Sequence, residues 1–550
     1  MNNRKVVVIG LDGADWRLLR PWIHNHELPT LARLVSEGTS GPLRSTIRPE
    51  SSVAWSSFST GVNPGKHGVF GFAERLEQSY TFGLANASSV RARRFWDFLG
   101  DQGYRVGLMN IPFTYPPSPV HGFLISGMLT PGADVEFTHP PELRTRLLER
   151  FEPYLLDGGD ITENKADLIE HVHAYTLQQR DMALWLLQEQ PWDVFSMVFT
   201  GPDRLQHFLW DDMDPGHPFH DAQGEDGNPY GDALLAHYKV LDGALREILD
   251  ALPENALILL ISDHGFNGFA RKFYVNHWLH ERGYLRVKRR TDLEAGVKSV
   301  LSRLKSIPWI RRLKRAVLPK RWNSFSLRSM AVSNAIDWSQ TQAFFGLDGG
   351  VRINLEGREP EGIVPPRDYD RIREELQDKF LNLVNPETTR CPISEAFFRE
   401  EIYRGPFVDQ APDLILEPER DNDVAAYNFL LDGSLGGDLS ELFDTSAPYS
   451  ANHALDGILI AWGAEVAQGQ QIGGSEITDL APTILAYLGV SVPRTMDGNV
   501  LQGLFSSKDM VVPRYMEDTT SSPASAETKR FGPEEEKRVE ERLKKLGYLD

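Results

Sequence analysis

The sequence predicts an α/β fold in which helices cover both faces of a mostly parallel sheet. Three observations carry this prediction. Short apolar runs recur along the chain, and polar residues lie beside their ends. Amphipathic stretches with helical spacing lie between the runs. The composition is that of an ordinary globular protein, with 41% hydrophobic and 25% charged residues, so 550 residues suffice for a core of several layers.

Four apolar runs are the candidate strands of this sheet. They cover residues 6–10, 194–200, 256–261 and 457–461. Continuous apolar runs of this length are typical of strands that are buried on both faces of a parallel sheet. The clearest helical stretches cover residues 166–188, 232–252 and 478–488. Alternation of such strands and helices predicts a sheet with helices packed on both sides.

Changes of pattern divide the chain into five predicted segments. They are a first part of the core (1–281), a basic helical insertion or lid (282–333), a smaller α/β cap (334–422), a second part of the core (423–505), and a linker with a C-terminal helix (506–550). The insertion is set apart by charge, because residues 282–328 hold fifteen basic and two acidic residues. The C-terminal helix is expected to begin near Pro533 and to dock on the body or on a second subunit.

Charge and cysteine content exclude several classes of protein. The net charge of −19 argues against a general nucleic-acid binder. The one cysteine, Cys391, leaves no intrachain disulfide and no thiolate cluster for a metal. The first apolar run is too short for a signal-peptide core, and no run reaches about 18 apolar residues. We therefore expect a soluble, cytoplasmic protein.

Three aspartates and three histidines lie at or beside the predicted strand ends. They are Asp12, Asp203, His207, Asp263, His264 and His453. Ligands of open α/β sheets bind beyond the carboxyl ends of the strands, so these side chains are expected to meet there. Each residue taken alone would be explained as a helix cap or an ordinary packed side chain. Taken together, they offer the oxygen and nitrogen donors that two divalent ions require.

A serine-rich segment after residue 50 offers a nucleophile. Its apolar pattern predicts a short buried helix that begins at Ser51 or Ser52. A serine in this position is either a plain cap or a nucleophile whose phosphoryl adduct binds free backbone N–H groups. In the loop that follows, Lys66 and His67 either reach a phosphate or belong to a structural turn.

These residues resemble those of the alkaline phosphatase superfamily, and within it the type I phosphodiesterase/nucleotide pyrophosphatase branch. The matching segments are VIGLDG (8–13), SSVAWSSFSTGVNPGKHGVFGF (51–72), PDRLQH (202–207), ISDHGF (261–266), NHALDGILIAWG (452–463) and TDLAPTILAYLGVSVP (478–493). Their joint order and spacing are specific, and they spread over most of the chain. The resemblance implies an alkaline phosphatase-like fold and a metal-dependent hydrolase of phosphoric diesters or phosphonate monoesters.

The resemblance also implies a role for each candidate residue. The family nucleophile lies nine residues before the Thr of a Thr-Gly pair, here Thr60, which points to Ser51; Ser52 is the alternative if the register slips by one. One ion would be held by Asp12, Ser51, Asp263 and His264, and the other by Asp203, His207 and His453. Three histidines favour Zn²⁺, and the oxygen ligands leave Mn²⁺ open. Lys66 is a further candidate for substrate binding.

The sequence also departs from its relatives and leaves alternatives open. Phe72 stands about where nucleotide pyrophosphatases usually carry an asparagine, so nucleotide specificity does not follow. Cys391 lies directly before Pro392, which does not fit the C-x-P-x-R motif of sulfatases. A phosphomonoesterase and a phosphotransferase of the same superfamily are enzyme alternatives. An inactive member that binds a phosphorylated ligand or a membrane surface is the non-enzyme alternative.

The expected partners are small-molecule or lipid-like phosphoesters, without a nucleic-acid partner. Residues 282–328 form either a salt-bridged lid or an interfacial helix on an anionic membrane, because Trp309, Ile310 and Leu313 lie among basic residues. A homo-oligomer is left open. The sequence shows no third-metal cluster, and Lys66 is the one cation in the recognisable motif, so a diester is expected to be a better substrate than a monoester. An arginine such as Arg48 that folds over the site would reverse this preference.

Overall fold

The structure is a computed structural model of the chain. It describes residues 4–157, 164–220, 228–288, 333–419, 429–432, 442–445, 449–507, 511–517 and 530–545. Residues 289–332, which make up most of the predicted basic insertion, lie outside the described residues, and so does much of the predicted C-terminal linker. The proposed lid or membrane helix and the division of the chain into five segments therefore stay predictions.

The strands are β1 (Lys5–Leu11), β2 (Thr39–Arg44), β3 (Ala73–Arg75), β4 (Phe82–Leu84), β5 (Val106–Met109), β6 (Gly122–Ile125), β7 (Thr138–His139), β8 (Val194–Phe199), β9 (Ala256–Ile261), β10 (Gly265–Gly268), β11 (Arg271–Tyr274), β12 (Ala343–Phe345), β13 (Gly350–Ile353), β14 (Ile393–Phe398), β15 (Leu414–Pro418), β16 (Phe429–Asp432), β17 (Phe443–Asp444), β18 (Ala451–Ala454), β19 (Asp456–Trp462), β20 (Gln470–Gln471), β21 (Ser475–Glu476), β22 (Val492–Pro493) and β23 (Tyr515–Met516). The α-helices are α1 (Trp16–His24), α2 (Pro29–Glu37), α3 (Ser51–Thr60), α4 (Pro64–His67), α5 (Phe95–Asp101), α6 (Glu142–Arg150), α7 (Lys165–Glu189), α8 (Gly201–Met213), α9 (Ala233–Asp250), α10 (Val275–Glu281), α11 (Tyr369–Leu381), α12 (Arg399–Ile402), α13 (Leu480–Tyr487) and α14 (Pro533–Lys545).

A mostly parallel sheet lies at the centre of the fold, as the sequence predicts. Its strand order is β20-β2-β19-β9-β1-β8-β5-β6-β7, with β21 beside β2. Strand β1 pairs in parallel with both β8 and β9, and β19 lies on the other side of β9, so the four predicted strands are consecutive in the sheet. The predicted helical stretches correspond to α7, α9 and α13, with ends that differ by one or two residues. The fold class is confirmed.

Successive side chains of the central strands point to opposite faces of the sheet and build two cores. Val6 and Val8 of β1 pack with side chains of α3, α5 and α13 on one face. Val7 and Ile9 pack with α1, α2, α6, α7 and α9 on the other. Because both faces are covered, the central strands are continuously apolar. The sheet therefore holds its strand ends in fixed positions.

The fourth predicted strand runs in the opposite direction to its neighbours. Strand β19 is antiparallel to both β2 and β9. His453 precedes this strand, whereas Asp12 and Asp263 follow theirs. Only the reversed direction brings His453 to the edge of the sheet where the two aspartates lie.

The segment predicted as a cap contains a separate small sheet. Strands β12, β13, β15 and β14 form it in that order, and all its pairings are antiparallel. Helix α11 packs on this sheet through Ile372, Leu376 and Phe380. The hairpin between β12 and β13 reaches the segment that precedes α3, since the Arg48 side chain donates a hydrogen bond to the Asp348 carbonyl. We call these four strands the cap sheet.

The C-terminal helix docks on the body of the same chain. Val539 and Leu543 of α14 are buried against a cluster that includes Phe72 and Phe113. Arg538 Nη1 lies 2.7 Å from Asp134 Oδ1, which adds an ion pair between the helix and the body. Of the two docking partners that the sequence leaves open, the structure shows the body. Among the helices that the structure describes, none is both long and apolar enough to span a bilayer.

Candidate active site

Two adjacent parallel strands place the first two carboxylates. Strands β1 and β9 pair in register up to Gly10 and Ile261. Asp12 and Asp263 follow these strands by one or two residues, so both lie at the same edge of the sheet. Both side chains are fully buried. Parallel pairing therefore brings together residues that are some 250 positions apart in the sequence.

Helix α8 carries the third carboxylate and a histidine. It begins at Gly201, directly beyond β8, and places Asp203 in its first turn. His207 lies four residues later on the same face, as the spacing predicts. Gly201 has a steric reason, because a Cβ there would lie 2.7 Å from His237 Nε2. The absence of a side chain thus lets α8 begin close to α9.

A short antiparallel pair of strands brings in the last two histidines. His264 directly precedes β10, and His453 lies on β18 opposite Phe266. The rings of His264 and His453 stack with their centroids 3.7 Å apart. The two histidines thus lie side by side between the carboxylates.

Asp12, Asp263 and His264 form what we call the strand group. Their potential ligand atoms lie within 4.8 Å of one another. His264 Nε2 is 3.5 Å from Asp12 Oδ1 and 3.3 Å from Asp263 Oδ2. Ser51 Oγ lies 3.2 Å from the same Nε2. The structure therefore brings the candidate nucleophile to this group.

Asp203, His207 and His453 form what we call the α8 group. His453 Nε2 is 3.2 Å from Asp203 Oδ1 and 3.3 Å from His207 Nε2. His207 Nε2 is 3.5 Å from the same carboxylate oxygen. Potential ligand atoms of Asp203 and His453 also lie within 4.8 Å of one of His264, so the two groups adjoin. All six ligand candidates and Ser51 are thus brought to one place.

All three histidines are oriented in the same way by the backbone. Their Nδ1 atoms donate to carbonyl oxygens: His207 to Ala451 at 2.9 Å, His264 to Gly265 at 3.0 Å, and His453 to Pro49 at 2.7 Å. A neutral imidazole with a proton on Nδ1 has a lone pair on Nε2. Each Nε2 therefore faces the cluster as a potential ligand, which is how metal-binding histidines are usually fixed.

The protonation equilibria of the strand group favour a bound cation. Burial and the nearby carboxylates raise the pKa of Asp12 well above its usual value. Burial and Asp203 raise the pKa of Asp263 to about 7. Burial lowers the pKa of His264, which keeps its imidazole neutral. Asp12 Oδ1 and Asp263 Oδ2 accept no hydrogen bond from any residue that the structure describes. Buried carboxylate oxygens beside neutral imidazole nitrogens fit a divalent ion.

A buried arginine, which the sequence reading missed, supports the α8 group. Arg204 Nη1 donates to Asp203 Oδ2 at 2.6 Å, and Nη2 donates to Asp157 Oδ2 at 2.8 Å. The other Asp157 oxygen accepts from Thr200 Oγ1 at 2.9 Å. Burial raises the pKa of Asp203, but His207, His453 and Arg204 outweigh it and hold that pKa well below its usual value. In the sequence, only its place directly after Asp203 indicates that this arginine could belong to the site.

The two serine candidates have different surroundings. Helix α3 begins at Ser51, and all ten of its residues are buried. Ser52 Oγ donates to Glu50 Oε1 at 2.9 Å instead of meeting the histidines. The geometry therefore favours Ser51 of the two registers that the sequence allows.

The structure does not bring Lys66 into contact with the cluster. Its ammonium group donates to Asp497 Oδ1 at 2.5 Å and to the Thr495 carbonyl at 2.8 Å. Phe72, at the position where the sequence is expected to depart from nucleotide pyrophosphatases, is buried and packs edge-on against Phe113. Its backbone N–H donates to Glu50 Oε1 at 2.6 Å.

Comparison with known proteins gives a family match and a shared fold. A family model described as type I phosphodiesterase / nucleotide pyrophosphatase matches residues 6–429. No curated protein matches the chain. The solved structure of phosphonoacetate hydrolase from Sinorhizobium meliloti 1021 with phosphonoformate is 14% identical, with a TM-score of 0.50, over 87% of this chain and 94% of that one. Human ectonucleotide pyrophosphatase / phosphodiesterase 5 is also 14% identical, with a TM-score of 0.48, over 92% and 100%. At 14% identity, the likeness to phosphonoacetate hydrolase concerns the fold alone.

Proposed function

The chain belongs to the type I phosphodiesterase/nucleotide pyrophosphatase family and is a hydrolase of phosphoesters; we propose that it cleaves phosphoric diesters or phosphonate monoesters through a phosphoseryl intermediate. One observation carries the proposal. Ser51 Oγ lies 3.2 Å from His264 Nε2, inside a buried cluster of three carboxylates and three imidazoles. A hydroxyl group in such a cluster is surrounded by potential ligands for divalent ions.

Two divalent ions fit the two groups. Asp12, Asp263 and His264 would hold one ion together with Ser51, and the α8 group would hold the other. Bound ions of this kind stabilise charge on phosphoryl oxygens and lower the pKa of a bound oxygen. Three imidazole ligands favour Zn²⁺, while the carboxylates leave Mn²⁺ open. The raised pKa values of the strand-group carboxyls support this assignment, because a cation would stabilise their charged forms.

The chain's own groups define the path of the reaction. Ser51 Oγ loses its proton and attacks phosphorus, so a bond from Oγ to phosphorus forms while the bond from phosphorus to the leaving oxygen breaks and that oxygen takes up a proton. Water then cleaves the phosphoseryl ester and restores the serine. Helix α3 begins at Ser51, so its first backbone N–H groups are placed to bind phosphoryl oxygens.

The charges around the cluster favour a substrate with one negative oxygen rather than two. Arg204 is paired with Asp157 and Asp203, and Lys66 is paired with Asp497. Arg48 Nη2 lies 3.0 Å from Glu50 Oε2, so this guanidinium also meets a protein acid. A monoester dianion would need a further cation, whereas a diester would not. Cytoplasmic localisation and a small-molecule or lipid-like substrate stay predictions.

Three aryl esters with the same leaving group would test the proposal. We expect kcat/KM on the phosphodiester or the phosphonate monoester to exceed that on the phosphomonoester by at least tenfold, or about 1.4 kcal/mol in transition-state binding. The Zn²⁺- and Mn²⁺-loaded enzymes are assayed in parallel. The Ser51→Ala variant, purified identically, controls for contaminating phosphatases. A tenfold preference for the monoester would make the protein a phosphatase, and no hydrolysis of any ester with either metal would reject the proposed function.

A further inference from the structure

Residues 48–50 connect the cap sheet to the candidate active site. Arg48 has a left-handed φ of 60°, which is unfavourable for a residue with a side chain. Its backbone N–H donates to Glu417 Oε1 of β15 at 3.0 Å. Its carbonyl oxygen accepts from the Glu50 N–H at 2.8 Å. The cap sheet thus stabilises an unfavourable turn directly before α3.

The Arg48 side chain makes a second connection to the cap sheet. Its Nη1 donates to the Asp348 carbonyl oxygen in the hairpin between β12 and β13, and its Nη2 donates to Glu50 Oε2 at 3.0 Å. Gly349 allows this contact, because a Cβ there would lie 1.6 Å from Nη1. The hairpin therefore depends on a glycine to accommodate the guanidinium.

The same three residues orient the site. The Pro49 carbonyl accepts from His453 Nδ1 at 2.7 Å, which aims Nε2 at Asp203. The Glu50 carbonyl accepts hydrogen bonds from the backbone N–H groups three and four residues further along the chain, each at 2.9 Å. These are the first hydrogen bonds of α3. Ser51 is the first residue of that helix. A shift of the turn at Arg48 would move both Ser51 and the acceptor of His453.

We propose that Arg48 is a positioning residue that couples the seating of the cap sheet to the orientation of Ser51 and His453. It acts through Pro49 and Glu50 and does not itself touch the reacting atoms. The inference rests on the proposed function only in taking Ser51 as the nucleophile and His453 as a metal ligand.

Removal of the guanidinium should weaken both metal binding and turnover. In Arg48→Met, we expect Zn²⁺ affinity and kcat each to fall by about 10- to 100-fold, the range seen when a group that orients a metal ligand is lost. KM should change by less than about threefold, because the groups that contact substrate remain. Arg48→Lys should recover part of the loss, since a lysine reaches Glu50 or Asp348 but not both in the same geometry.

Matched controls separate positioning from simple anchoring of the cap. Arg75 Nη1 also joins the body to the cap segment, at 2.8 Å from Glu359 Oε1, but it does not touch residues 48–50. Arg75→Met should leave Zn²⁺ affinity within about threefold of wild type. Gly349→Ala should reproduce the Arg48→Met defect. Gly357→Ala should not reproduce it. Gly357 has a positive φ of 82°, similar to the 72° of Gly349, but the space around its Cβ position is open.

The experiment measures Zn²⁺ affinity of metal-free full-length variants by competition with a colorimetric chelator, together with kcat, KM and circular dichroism. Equal loss of affinity in Arg48→Met and Arg75→Met, or none in Arg48→Met, would overturn the proposal. If Arg48→Met does not fold, Arg48→Lys and the glycine pair decide, and a Gly349→Ala variant with wild-type affinity would then reject it. Absence of phosphoesterase activity in the wild type would reject the proposed function alone, because the affinity measurements stand apart from activity.

Discussion

The strand group and the α8 group differ in what balances their carboxylates. Asp12 accepts a hydrogen bond from Trp55 Nε1 at 3.2 Å, and Asp263 accepts from the Gly13 N–H at 3.4 Å, so both donors are neutral. Asp203 instead accepts from the Arg204 guanidinium at 2.6 Å. In line with this, the pKa values of Asp12 and Asp263 are raised and that of Asp203 is lowered.

This difference means that the carboxylates of one buried cluster are stabilised in two ways. The α8 group has a cation of the protein's own, so its carboxylate is ionised and oriented before any metal binds. The strand group has like charges in a low-dielectric site, and its charged form depends on a cation from outside. Ser51 lies beside the strand group. The proposed nucleophile therefore lies on the side of the site where a bound ion would change the electrostatics most.

Loss of the proposed nucleophile should have the largest effect, and it tests whether the reaction takes place beside the strand group. Ser51→Ala should lower kcat on the order of 10³-fold or more, because the covalent step is lost. The fold should persist, since alanine is a good helix former. Steady-state kinetics and circular dichroism would measure the two properties.

Ser52→Ala is the matched control for this variant. It removes a hydroxyl group from the same buried helix, but one that donates to Glu50 rather than lying beside His264. Its effect on kcat should be far smaller. If Ser52→Ala is the more damaging change, the nucleophile is Ser52. The reacting hydroxyl would then not be the one that lies beside the strand group.

Removal of Arg204 tests whether this arginine stabilises the carboxylate of the α8 group. Arg204→Met leaves Asp157 and Asp203 buried without their cation, so the free energy of unfolding should fall by about 3–5 kcal/mol. Urea denaturation would measure it. Arg180→Met is the control, because Arg180 pairs with the more exposed Asp181 and Glu247 and should contribute no more than about 1 kcal/mol. Equal losses in the two variants would show that the buried pairing has no special role.

Local sequence patterns indicate the residues of the cluster, but they do not indicate the residues that hold the cluster in place. Asp12 and Asp263 follow apolar runs, and Asp203 and His207 have helical spacing, so each is recognisable from a few neighbouring residues. Asp157 pairs with Arg204 across 47 positions, and Arg48 reaches Asp348 across 300. Such contacts arise from tertiary packing, which no local pattern records.

The same distinction explains which parts of the fold were predictable. The continuously apolar strands β1, β8 and β9 are buried on both faces, and their pattern shows it. Strand β2 (TSGPLR) carries glycine, proline and polar residues, and its last residues alternate between buried and exposed, so it reads as a turn. The reversed direction of β19 was readable in principle, because His453 precedes its strand while the aspartates follow theirs.

The smallest expected effect is a pH dependence of stability that arises from Asp263 of the strand group. In metal-free protein the folded-state pKa of Asp263 is about 7, above its usual value of 3.8. Folded protein therefore holds a proton that unfolded protein has lost between these values, so this residue makes stability fall as the pH rises towards 7. Asp263→Asn removes the titration. Relative to that variant, the wild type should lose on the order of 1 kcal/mol between pH 6 and pH 8.

A second carboxylate with the opposite shift provides the control. Burial opposes ionisation of Asp413, but Arg358 outweighs it and lowers the pKa of Asp413 to about 2. This residue is ionised throughout the range from pH 6 to pH 8. The stability difference between wild type and Asp413→Asn should therefore stay constant there, whatever its size. Urea denaturation of the chelator-treated proteins at both pH values would measure each difference. If the Asp263→Asn difference is equally constant, the Asp263 carboxyl is ionised without a metal. The contrast with the α8 group would then lose its electrostatic basis.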